Sequence, residues 1–238
     1  MIILFKNLSN DDKSNAVKRL IEGSTPNQDF FLMIILSILT ASFGLLTNDT
    51  AVIIGSMLIA PMLYPLLSLS LGIIMSDGKV ISRSAYTLIK SIGFGIVTAA
   101  IATLLFDTQV SGITAEITSR TQPSLPSVII AVVSGFAATF ALVKPKLSET
   151  LPGVAISVAL VPPIAVVGIG IAKLDLSIIS GSLLLFIVNA IGVVFASMLT
   201  FSLMNFYSKR TEAEEAAERE DRRESIERMR VEQEQLLR

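Results

Sequence analysis

The sequence predicts an all-α polytopic membrane protein. Six transmembrane helices form an inverted three-plus-three repeat with proline-broken second and fifth helices, and a charged cytoplasmic helix follows at the C-terminus. Three observations carry this reading. Of 238 residues, 52% are hydrophobic and only 16% charged, and the apolar residues collect in runs of about 20, the length that crosses a bilayer. Two of those runs are broken alike: Pro61 follows Ser56 by five residues in the stretch Val52 to Pro65, and Pro162 follows Ser157 by five in Val154 to Pro163. The remaining charge is concentrated in the tail.

Residues 1–29 read as a cytoplasmic N-terminal arm. Asp11 to Glu22 suits a short amphipathic helix with Val17, Leu20 and Ile21 on one side. We read it as a cap on the helix ends rather than a membrane-surface helix. The membrane domain covers residues 30–206, with repeat halves at 30–106 and 125–206. Its spans are expected at Phe30 to Thr47, Thr50 to Met75, Ala85 to Phe106, Leu125 to Val143, Leu151 to Ala172 and Leu176 to Phe206. The last is too long merely to cross, so it continues outside as helix. Residues 107–124 form a loop with one helical turn at Ala115 to Arg120. Residues 207–238 form the charged tail. Its weak apolar seam of Ile226, Met229 and Leu236 lacks sustained heptads, so a solvated single helix is favoured over a coiled coil.

Six spans put both termini on one side. That side gathers Lys6, Lys13, Lys18, Arg19, Lys79, Arg83, Lys144, Lys146 and the tail's basic residues, against Arg120 and Lys173 opposite. The positive-inside rule therefore makes both termini cytoplasmic, in a multi-pass plasma-membrane protein.

Proline inside a helix removes a backbone hydrogen bond, and lipid cannot replace it. Paired breaks in two halves of a chain point to a midplane binding site. Aligning Ser56–Pro61 with Ser157–Pro162 sets an offset of 101 residues, and Lys90–Gly93 aligns with Asn189–Gly192 at 99. Three spans per half make the repeat inverted. The candidate ion or solute pathway is Ser56, Pro61, Tyr64, Pro65, Lys90, Ser157, Pro162, Pro163 and Asn189. Asn48, Asp49 and Glu149 are candidate gates, although such residues before a helix are ordinarily N-caps. Lys90 could instead snorkel to the headgroups, and Asn189 could simply bridge two helices. Gly93, Gly135, Gly168, Gly170 and Gly192 read as close-packing positions.

NDTAVIIGSMLIAPMLYP at 48–65, LPGVAISVALVPP at 151–163, GIGIA at 168–172 and GSLLLFIVNAIG at 181–192 resemble the motifs of the DUF389 family of uncharacterised hydrophobic membrane proteins. The resemblance covers residues 30–206. It implies a prokaryotic-type integral membrane protein of about six spans, and implies no activity or site residues.

The chain has no cysteine and no histidine, which excludes disulfides and Cys-His or Ser-His nucleophile pairs and leaves no basis for a metal site or other cofactor. No enzyme is expected. Net charge −1 gives no reason for nucleic-acid binding. The expected partners are the bilayer, further copies of the chain in a homo-oligomer, and a small ion or solute. The function expected is a channel or secondary transporter; the alternative is a non-transporting oligomeric scaffold or sensor whose tail recruits a partner.

Overall fold

The computed structural model describes residues 9–106, 112–144, 147 and 159–236, and everything below concerns these. All regular structure among them is helical. Helix α1 spans Asn10–Gly23, α2 Gln28–Leu46, α3 Thr50–Ile59, α4 Leu63–Met75 and α5 Gly78–Phe106. A single turn, α6, at Ala115–Thr118 precedes α7 at Leu125–Val143. Then come α8 at Val161–Ala172, α9 at Leu176–Leu203, a 3₁₀ turn at Phe206–Lys209 and α10 at Arg210–Leu236. Helices α2, α5, α7 and α9 are long and apolar enough to cross a membrane, and α3 with α4, bent by 52°, meets the same test only as a pair, as a broken span or a re-entrant loop. The protein is thus an all-helical, membrane-embedded chain.

One expectation changes and another is described only in part. The fifth span, set at Leu151 to Ala172, lies outside the described residues before Ala159, and its described part, α8, has 12 residues, about 18 Å of helix. The third span starts seven residues earlier than expected, at Gly78, because the helix also takes in Lys79 and Arg83.

Three hairpin corners share one construction. Each runs glycine, three residues, a left-handed residue, then aspartate: Gly44–Asp49, Gly72–Asp77 and Gly170–Asp175. The left-handed residues are Asn48 (φ 58°), Ser76 (φ 52°) and Leu174 (φ 56°). In each, the aspartate N–H donates back to the glycine carbonyl, at 2.8, 2.9 and 2.9 Å, which closes the outgoing helix as a Schellman motif. The same aspartate then caps the next helix. Asp49 accepts from the N–H groups of Ala51 and Val52, Asp77 from Lys79 and Val80, and Asp175 from Ser177 and Ile178, at 2.9 to 3.2 Å. The glycine is required because the next helix crosses over it. A Cβ there would lie 2.9, 3.0 or 3.1 Å from the backbone nitrogen of Ile53, Ile81 or Ile179.

Packing pairs the halves crosswise. Helix α2 packs on α5 and α7 on α9, while α4 crosses to α9 and α8 crosses to α5. Gly168 makes the last contact possible: a Cβ on it would sit 2.5 Å from the Ile96 carbonyl and 2.6 Å from Ala99. Gly135 meets the Val193 backbone and Gly192 meets Ala131, so these glycines serve close helix approach as expected. Gly93 faces open space, and Gly95 makes the contact instead, against Ile38 and Ile164.

The arm is a packed cap. Ser9 and Asp12 form a reciprocal capping box at its start, and Ala16, Val17, Leu20 and Ile21 are buried against α4, the 3₁₀ turn and α10. The start of the tail is packed as well, not solvated: Ala213 and Ala217 are fully buried where α10 lies on α1. Ile226 and Met229, beyond that contact, stay half exposed.

Candidate functional site

The first break is set by Pro61. A residue before proline is driven out of the helical region, and Ala60 is extended, with φ −77° and ψ 124°. Helix α3 therefore stops at Ile59 and α4 restarts at Leu63, with Pro65 in its first turn. The Ser56 carbonyl, stranded where the helix ends, accepts instead from the Ser37 hydroxyl of α2 at 2.7 Å. The Ser56 hydroxyl turns back to the Ile53 carbonyl at 2.6 Å.

The second expected break is described only from Ala159 onward. Pro162 and Pro163 do not kink the middle of a helix. They occupy the first turn of α8, where a missing N–H is tolerated. The Ala159 carbonyl lies just outside the helix, and Asn189 of α9 supplies its donor: Nδ2 donates to it at 3.3 Å. Ala159 itself is left-handed, with φ 46°. Asn189 is 5% exposed and its Oδ1 has no partner. The hydroxyl of Ser182, two turns earlier on α9, is also buried without one. Each break is thus repaired by a polar side chain from a neighbouring helix, Ser37 at the first and Asn189 at the second. Sequence reasoning found Asn189 and missed Ser37, whose serine looks ordinary within an apolar run.

Other predicted residues lie elsewhere. The Tyr64 ring packs against Gly23 at the end of α1; a Cβ on Gly23 would come within 2.7 Å of it. Lys90 sits among rings, its Nζ 4.6 Å from the centroid of Phe31, 5.5 Å from Tyr86 and 5.9 Å from Phe94. Cation–π contact with three rings suits an ammonium partly withdrawn from water, and none of these rings belongs to a break. The corners at Asp77 and Asp175 lie 98 residues apart, and at that offset the position matching Asn189 is Ser91. Ser91 is buried, bonded to the Thr87 carbonyl at 2.7 Å. Asp49 caps α3 as described, and the Asn48 side chain accepts from the Glu116 N–H at 3.1 Å. Ser157 and Glu149 lie outside the described residues.

Glu116 of α6 ties its loop to the α2–α3 corner. It accepts from the Thr50 hydroxyl and pairs with Arg120. The Thr50 hydrogen bond, with Arg120 beside it, holds its carboxyl below the ordinary glutamate value, against a smaller opposing effect of burial.

A second polar centre lies at the opposite end, around Arg83, whose side chain is 9% exposed. Its Nη1 donates to the Ala217 carbonyl at 3.0 Å and to Asp221, and its Nη2 to the Thr25 hydroxyl at 2.9 Å and to Glu224 at 3.5 Å. Lys79 stands 3.6 Å from Glu218 and 3.5 Å from Asp221. One guanidinium thus joins a span, the arm and the tail. The readable signal was the spacing of Glu218, Asp221 and Glu224, three residues apart on one helical face. A separate groove of about 440 Å³ between α4, α5 and α9 is lined by apolar side chains such as Leu66, Leu88, Phe186 and Phe195 and offers no polar ligand.

A family profile described as a domain of unknown function, DUF389, matches residues 57–195, more than half of the chain and both described breaks. The chain belongs to the DUF389 family. An uncharacterized protein of Methanocaldococcus jannaschii is 34% identical over 176 residues, covering 74% of this chain and 54% of that relative. The chain therefore spans about half the length of that relative. No solved structure matches the chain. The resemblance read from the motifs at 48–65 and 151–192 is thereby established as family membership. The family's description assigns no chemistry, so the function rests on the geometry.

Proposed function

We propose that this DUF389 protein is a channel or secondary transporter for an ion or small solute, with its pathway at the two helix breaks. The observation that carries the reading is the start of α8, where Asn189 donates to the Ala159 carbonyl and keeps a buried amide oxygen without a partner among the described residues. Interrupted helices inside a membrane are tolerated where protein or a polar cavity satisfies the freed groups, and transporter sites are built from such ends. The crosswise packing of α4 on α9 and α8 on α5 supports a repeat, which we read as inverted, with three spans per half. We place both termini in the cytoplasm of a plasma-membrane protein and expect a homo-oligomer, since the bundle is thin for a private pathway. Flux into proteoliposomes under imposed potentials and solute gradients tests this. Wild-type protein should pass a solute or ion, and Pro162→Ala and Asn189→Leu should reduce that flux in protein that remains assembled. No flux above empty vesicles across a broad panel would refute it.

A second reading, a scaffold or sensor that recruits a partner through the tail, is favoured by Ile226 and Met229, half exposed beyond the Arg83 contact. It predicts that deleting residues 225–238 abolishes the cellular phenotype while Asn189→Leu leaves it intact.

A further inference from the structure

The chemistry of the second break sorts ions from neutral solutes. A cation would find the positive end of the α8 dipole there. It would find no carboxylate either: within the described spans the acidic residues reduce to Asp29 in the first turn of α2. An anion would face the unpartnered Oδ1 of Asn189, an acceptor, and a helix start stripped of two N–H donors by Pro162 and Pro163. The basic residues of the spans are committed elsewhere, Lys90 in its box of rings and Lys79 and Arg83 on the tail. Taking either ion out of water without a counter-charge is costly. What the site lacks is a neutral hydrogen-bond donor for Oδ1. The start of α8 still offers the N–H groups of Leu160 and Val161, which stand in the first four of a helix and have no partner within it.

Resting on the transport reading above, we infer that the solute is small and uncharged and carries both an N–H donor and a carbonyl acceptor, as a primary amide or urea does. Its N–H meets Asn189 Oδ1 and its carbonyl meets the first turn of α8. Ser182, buried and unpartnered two turns away on α9, is the next hydroxyl along the same path.

The test uses the full chain in liposomes, with acetamide and urea as probes and potassium and chloride flux measured in the same preparation. Acetamide should equilibrate at least five-fold faster than in empty vesicles, with no ion current at either sign of potential. Asn189→Leu should return the rate to that of empty vesicles. Asn189→Ser, smaller and still polar, should reduce it while eluting as the wild type does on gel filtration. Ion flux without amide flux would overturn the inference and leave the transport reading standing. Amide flux unchanged in both Asn189 variants would remove the site assignment. Absence of any flux would remove both.

Discussion

Replacing Arg83 with glutamine should detach the tail. The guanidinium donates to a carbonyl, a hydroxyl and two carboxylates of two other segments and is almost wholly buried. Hydrogen bonds to charged groups contribute about 1.5–3 kcal/mol each when buried. Asp221 is half exposed, so its share is screened toward the 0.2–1 kcal/mol of surface pairs. Glutamine can keep one contact. The net loss is about 2–3 kcal/mol in the docking equilibrium of α10, roughly a 30- to 140-fold fall in the docked to undocked ratio. Hydrogen exchange reads this directly, because amides between Arg210 and Glu224 are protected by docking as well as by the helix. Exchange there should accelerate by tens of fold while the amides of α9 stay as they are. Arg223→Gln is the control: that side chain is 74% exposed and pairs only with Glu220 of its own helix, so its effect should stay within about threefold. If Arg83→Gln also stayed within threefold, the tail would be held by the Ala213 and Ala217 contact and not by the arginine.

Gly168→Ala drives a methyl into the α5 backbone at 2.5 Å and should lower stability by about 1–3 kcal/mol. Gly55→Ala, inside α3 with nothing near, should not lower stability and should raise it by up to about 1 kcal/mol; thermal unfolding in detergent compares them. Leu174→Gly should raise the melting temperature, because a left-handed non-glycine residue costs about 1–2 kcal/mol and Leu174 is exposed. Asp175→Ala should remove about 1 kcal/mol of cap in the same assay. Glu116 has a folded pKa below its unfolded one, so its contribution is complete above the ordinary value of 4.5 and is lost as pH falls through the folded value. Glu116→Gln should therefore flatten the fall in melting temperature below about pH 4.5 and lower stability at neutral pH.

Apolar run length located α2, α7 and α9 to within a few residues, because their ends coincide with the ends of the hydrophobic runs. It misplaced the start of α5, since Lys79 and Arg83 look like loop until their tail partners are known. Pro61 announced its break, as pre-proline sterics are local. The pair Pro162–Pro163 stands at a helix start and was read as a break inside a longer span, since proline serves in both places and only the backbone distinguishes them. Asn189 stood out as an amide in an apolar run. The glycine–aspartate corners recur three times in the sequence at fixed spacing, yet the motif is legible only once the crossing over glycine is seen. Arg83 was counted as a loop charge because its tail partners lie more than 130 positions away, and no local pattern carries that distance.

Those corners bear on where this protein can flex. At each one, two hydrogen bonds to a single carboxylate, one to the glycine carbonyl and a helix seated directly on a glycine bind consecutive helices into rigid elbows. Each break, by contrast, is bridged by one side-chain hydrogen bond. Any rearrangement that opens a route through the membrane would leave the elbows as fixed frames and place its swivel points at Ala60 and Ala159, with Ser37 and Asn189 as the pins to be drawn.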